Sequence, residues 1–141
     1  MPYVRRDGEV NPQFYEYDST ALEALCFAVP HLVLYALGAD SSRHAQQAGK
    51  LLWSWFLDPA TRMNPHLKYA QFIPGITDGR PIGIIDTSSL VILIEATKYL
   101  PFNSEWTPAH LAALKGWFSN YLDWLLEGPF GPRERDELNN H

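Results

Sequence analysis

The sequence predicts an all-α fold, on three observations. Apolar residues recur at three-and-four spacing in four separate stretches. Residues suited to cap or stop a helix bracket those stretches. The one run apolar enough for a buried strand, residues 90–94, is continued at helical spacing by Ala96, Tyr99 and Leu100.

The first helix is expected over residues 19–39, where Leu22, Leu25, Cys26, Val29, Leu32, Val33 and Leu37 repeat behind Asp18 or Ser19 as the cap. Pro30 removes a backbone donor inside it, which predicts a kink near residues 26–30 or two shorter helices. Glu23, Pro30 and His31 interrupt the run, so it is read as a buried helix and not as a membrane span. A second helix, residues 41–57, sets Ala45, Ala48, Leu51, Leu52, Trp55 and Phe56 opposite Arg43, Gln46, Gln47 and Lys50, and Asp58-Pro59 stops it. The third covers residues 87–100. The fourth carries the strongest local signals: Thr107 caps, Pro108 takes the first position, Leu111, Leu114, Trp117, Phe118, Tyr121, Leu122 and Leu125 share a face, and Gly128-Pro129 end it. Two hairpins are expected, helix one with two and three with four. A first helix that is apolar nearly all round needs neighbours on several sides, more than four helices supply, so the chain reads as a piece of a larger stack of helical hairpins.

At 141 residues the chain is one domain, and 46% hydrophobic with 19% charged residues excludes disorder. A net charge of −5 argues against nucleic-acid partners, which need clustered Lys and Arg. Cys26 is alone, so no intramolecular disulfide or multi-cysteine metal site can form. Residues 1–13 hold prolines, arginines and acids where the apolar core of a signal peptide would lie; no export signal is read there, and location stays open.

The familiar catalytic motifs fail: GxGxxG, the phosphate-binding G-x-x-x-x-G-K-[ST], G-x-S-x-G and HExxH are all missing. Gly75, Gly79 and Gly83 recur every four residues, but Arg80 is not placed as a phosphate loop requires. The five histidines (His31, His44, His66, His110, His141) are never three or four apart, so no helical pair of metal ligands exists, and no metal or cofactor is expected. What stands out is residues 58–86, with four prolines, three glycines and many bulky apolar side chains. A connection this long is usually functional, and its Met63, Leu67, Tyr69, Phe72 and Ile residues predict an ordered loop packed on the helices.

Five landmarks then fall in order: Tyr3-Val4-Arg5-Arg6-Asp7-Gly8-Glu9-Val10-Asn11-Pro12, Trp55-Phe56-Leu57-Asp58-Pro59, Met63-Asn64-Pro65-His66-Leu67-Lys68-Tyr69-Ala70-Gln71, Gly83-Ile84-Ile85-Asp86 and Asn139-Asn140-His141. Together, across all 141 residues, they resemble the alginate lyase domain family. The resemblance implies an α/α toroid built of helical hairpins, whose cleft holds an acidic polysaccharide and cleaves it by β-elimination. It further implies that residues 1–141 correspond to the amino-terminal part of such a domain, an incomplete toroid. Family members usually carry an aromatic-rich stretch earlier, and later helices that supply a catalytic Tyr and Arg; neither Tyr69 nor Tyr121 stands in that tyrosine's place. Family members acting on polymers are generally exported.

On that resemblance, Asn140 and His141 are the catalytic candidates. Elimination needs donors for the uronate carboxylate, a base at C5 and an acid at the leaving oxygen. Asn140 can donate through its amide, while His141 can either donate to the carboxylate or accept the C5 proton. Gln71, Arg80, Arg5 and Arg6 are the substrate-binding candidates, arginine because its planar fork matches a carboxylate. Plainer roles compete: a solvated terminus for His141, a surface charge for Arg80, a local ion pair for Arg5, Arg6 and Asp7. His31 is expected as a hydrogen-bonded core residue, His44 and His110 at the surface, and the tryptophans mainly in packing. Two rival functions remain, a non-catalytic uronan-binding scaffold and a helical interaction module. The chain alone is expected to show little or no lyase activity.

Overall fold

The computed structural model describes residue 12 and residues 17–136. The elements run α1 (Asp18–Gly38), α2 (Ser42–Leu52), a π turn (Trp53–Leu57) that prolongs α2, a 3₁₀ helix (Pro81–Thr87), α3 (Leu90–Thr97), α4 (Pro108–Glu127) and α5 (Gly131–Asp136). Among the described residues the only pairing of extended backbone is an isolated bridge between Ile73 and Thr77, so the all-α expectation holds.

Pro30 does not divide α1, which is assigned as one 21-residue helix. One residue past the carbonyl that Pro30 deprives of a donor, the Phe27 carbonyl meets His31 Nδ1 at 2.7 Å. His31 is therefore hydrogen-bonded as expected, but on the exposed side of the helix and not in the core. α1 is long and apolar enough to cross a membrane. Here Leu22, Leu25, Cys26, Val29, Val33 and Ala36 bury their side chains in the core that α1 shares with α2 and α3. Its far side carries Phe27, Leu34 and Tyr35, at 68%, 66% and 62% exposure. The expected all-round burial is thus met on one face only.

The regular part of α2 ends five residues early. Asp58 N–H bonds the Trp53 carbonyl, five residues back, at 2.9 Å, and Pro59, which follows, has no N–H to give the Trp55 carbonyl. The neighbouring carbonyls find other partners: Thr61 Oγ1 donates to Ser54 O at 2.6 Å and Met63 N–H to Trp55 O at 2.8 Å. The turn aims Phe56 into the core, 1% exposed, with ring centroids 4.8 Å from Trp117 and 5.5 Å from Phe118.

Helix three is shorter than expected, with Thr87 closing the 3₁₀ helix, residues 88–89 in a turn and residues 98–100 beyond its end. Its pairing also differs: α3 lies against α1, and α4 against the π turn and α5. The connection from α3 to α4 carries Trp106, which is fully buried. Between them opens a groove of about 910 Å³, lined by Ile84, Leu90, Val91 and Ile94 on one side and Phe118 and Leu122 on the other.

α4 begins where its sequence says. Thr107 Oγ1 accepts from His110 N–H at 3.3 Å, and His110 Nδ1 accepts from Thr107 N–H at 3.4 Å, a reciprocal cap. His110 is thereby half-buried, not a surface residue, and His44 is half-buried too, meeting Ser41 Oγ at 2.6 Å. Thr107→Ala is expected to cost about 1 kcal/mol, lowering Tm by roughly 3–5 °C in a thermal circular-dichroism melt.

Candidate functional site

The long connection is ordered and packed, as expected, with Met63, Leu67, Ala70 and Ile84 set against the helical core. Trp117 Nε1 on α4 donates to the Met63 carbonyl at 2.8 Å, tying the loop down. A reverse turn at residues 73–77 then folds the chain back, closed by Ile73 N–H to Thr77 O at 2.9 Å. The returning segment lies against residues 68–70, with Arg80 N–H on Ala70 O at 3.0 Å. This approach needs Gly79 and Gly83: a Cβ on Gly79 would overlap the Lys68 carbonyl oxygen, and one on Gly83 the Ala70 side chain. Their four-residue spacing is that of a close backbone approach and not of a phosphate cradle.

Gln71 and Arg80 come together at this point. Arg80 Nε donates to the Gln71 carbonyl at 2.9 Å and Arg80 Nη2 to Gln71 Oε1 at 3.0 Å. Gln71 Nε2 donates to Asp86 Oδ1 at 3.0 Å, from the end of the 3₁₀ helix. The three side chains are half-buried, and Gln71 sits at φ 50°, a left-handed conformation unusual for a residue with a Cβ. The structure thus corrects the simplest view of Arg80 as a free fork: its Nε–Nη2 edge is spent on Gln71, leaving the Nη1–Nη2 edge for an anion. Asp86, which ends the Gly83-Ile84-Ile85-Asp86 landmark, was not among the sequence candidates and joins them here through its bond from Gln71. Arg5, Arg6, Asn140 and His141 lie outside the described residues.

Beside the cluster, Tyr69 is 59% exposed with Lys68 Nζ 5.3 Å from its ring centre. The His66 ring lies 6.2 Å from both Tyr69 and Trp124. Trp124 continues a ladder along α4, its ring 6.1 Å from Tyr121, which in turn lies 5.5 Å from Trp117. The tryptophans of α4 therefore pack, as the spacing implied.

Tyr121 is buried, its hydroxyl 2.7 Å from Thr87 Oγ1. Thr87 gives its one hydroxyl proton to Ile84 O at 2.9 Å, so Tyr121 is the donor in this pair. Burial pushes its phenol above the ordinary value of 10.0, against a smaller downward pull from Thr87. Tyr121 therefore holds its proton and braces the 3₁₀ helix that carries Asp86, which suits a structural brace and not a catalytic base. Because the folded pKa is the higher one, its contribution to stability is complete below pH 10 and falls away as pH rises through the folded value. Urea titrations at rising alkaline pH should show a smaller loss of stability in Tyr121→Phe than in the parent. At neutral pH that variant should cost about 1 kcal/mol.

Burial likewise raises the Cys26 thiol, aided by Glu23 and opposed by a hydrogen bond with Ser89, leaving an inert protonated core cysteine. Among the described residues no group of three or more His, Cys, Asp or Glu is placed to hold a metal ion.

Comparison with known proteins agrees with this architecture. The family model described as "Alginate lyase" matches residues 1–141. Among solved structures, the chain is similar to an alginate lyase from Bacteroides ovatus, determined at 1.60 Å resolution, with 35% identity and a TM-score of 0.88. That match covers 96% of this chain and 36% of the other, so the protein spans about a third of the solved lyase. A search of curated proteins finds no match. With a whole-chain family match and a helical fold that superposes on a lyase at this identity, the chain belongs to the alginate lyase family.

Proposed function

We propose that the protein serves a polysaccharide lyase acting on a 4-linked uronate polymer such as alginate, with residues 58–86 gripping the sugar. The observation that best supports this is the convergence of Gln71 and Arg80 in one polar cluster on an ordered loop, in a chain of the alginate lyase family. In the proposed reaction a base removes the C5 proton beside the carboxylate. The electron pair forms the C4–C5 double bond, the C4–O bond breaks, and the departing oxygen takes a proton from an acid. His141 is assigned either donation to the carboxylate or acceptance of the C5 proton, and Asn140 donation to the carboxylate oxygens. Arg5 and Arg6 are assigned further contacts to the acidic polymer.

The test has two arms. Titration of the chain with an alginate-derived trisaccharide should move the amide resonances of residues 68–86, and the shifts should weaken as salt is raised. An unmoved loop would sink the binding reading. Incubation of residues 1–141 with alginate should release few or no unsaturated uronate ends. Robust turnover would overturn that expectation.

A second reading, a helical interaction module, is favoured by the bare apolar face of α1. It predicts a defined oligomer in analytical ultracentrifugation, and a stable monomer that binds uronate would exclude it.

A further inference from the structure

Gln71 is gripped at both ends of its amide. Oxygen and nitrogen of such an amide are set by their neighbours, and here the neighbours leave one choice: a cation faces Oε1 and a carboxylate faces Nε2. Reversing the amide would set two donors against each other at Arg80 and two acceptors at Asp86. The backbone is held as well, since Arg80 Nε bonds the Gln71 carbonyl while φ stays at 50°. A primary amide offers two N–H donors and two oxygen lone pairs. One of each is used, so one N–H and one lone pair are left, with their directions fixed.

We propose that Asp86 and Arg80 are positioning residues that lock the Gln71 amide in one orientation, so that it presents a single N–H donor and a single acceptor to a uronate unit. This rests on the reading of the loop as a uronan site and adds to it a specificity device. The sugar meets a neutral, directional amide held between a cation and a carboxylate, and the Nε–Nη2 edge of Arg80 acts through Gln71. The device avoids conformational freedom at the contact, so less ordering is needed on binding. Among the described residues, the side-chain bond that joins Asp86 to the candidate site runs to this amide.

The experiment reads the clamp and the binding separately. In the parent chain without ligand, the two Nε2 protons of Gln71 should resolve as a dispersed, slowly exchanging pair in ¹⁵N–¹H spectra. Asp86→Ala should collapse them toward the free-amide position, and Asp86→Asn, which keeps an acceptor oxygen, should restore the dispersion. In titrations with the alginate-derived trisaccharide, Asp86→Ala should weaken binding by about 10-fold, and Asp86→Asn should stay within about 2-fold of the parent. In a Gln71→Ala background, Asp86→Ala should have no additional effect, since its role runs through the missing amide. A free, averaged Gln71 amide in the parent would overturn the proposal, as would an Asp86→Ala loss that persists without Gln71. A parent chain that shows the clamped amide but binds no trisaccharide would refute the uronan reading and leave the clamp standing.

Discussion

Phe56→Ala is expected to be among the most damaging single changes in the described residues, costing about 3–5 kcal/mol. The side chain is fully enclosed, its ring meets Trp117 edge-on and Phe118 at a tilt, and it sits at the one turn where α2 loses its regular pattern. Truncation would leave a void that the neighbouring rings of α4 cannot fill without leaving their own contacts. Against a typical domain stability of about 5–15 kcal/mol, this is a large share. Urea unfolding followed by tryptophan fluorescence should show a midpoint shift of that size. A loss below about 1 kcal/mol would mean that the π turn is not the keystone between α2 and α4.

Gly79→Ala should be nearly as costly, about 2–3 kcal/mol, and costly in a different place. The added methyl meets a backbone carbonyl, that of Lys68, which cannot rotate aside like a side chain. The returning segment must then lift from residues 68–70, which breaks the Arg80 N–H to Ala70 O bond and separates Arg80 from Gln71. The expected signature is double: a lower urea midpoint, and loss of trisaccharide binding even at temperatures where the helices stay folded. A variant that is destabilised but binds normally would show that the two strands of the loop need not touch for the site to work.

Local chemistry made some of this architecture readable before any coordinates. α4 was legible to the residue because its start and stop are written in adjacent positions, Thr107-Pro108 and Gly128-Pro129. The pairing of α3 was not, because its contacts with α1 join segments more than fifty residues apart and leave no periodic signature. The π turn was also hidden: Asp58-Pro59 announces that a helix must end but not how its last carbonyls will be satisfied. In the candidate site, Gln71 and Arg80 were candidates by family resemblance, while their mutual bonding depends on the turn at residues 73–77, which brings them together. The bond from Gln71 to Asp86 was not legible, because it joins side chains fifteen residues apart across a turn and leaves no local pattern.

The wide turn at the end of α2 has one further implication, for chain length. Each residue in a regular helix rotates the next by about 100°, so the single-residue lengthening of the hydrogen-bond ring at Asp58 resets the direction in which the polypeptide departs. A natural or engineered one-codon deletion within residues 53–57 would restore ordinary helical winding, point the departing backbone away from the aromatic ladder, and leave the long connection with its amino acids intact and its address lost.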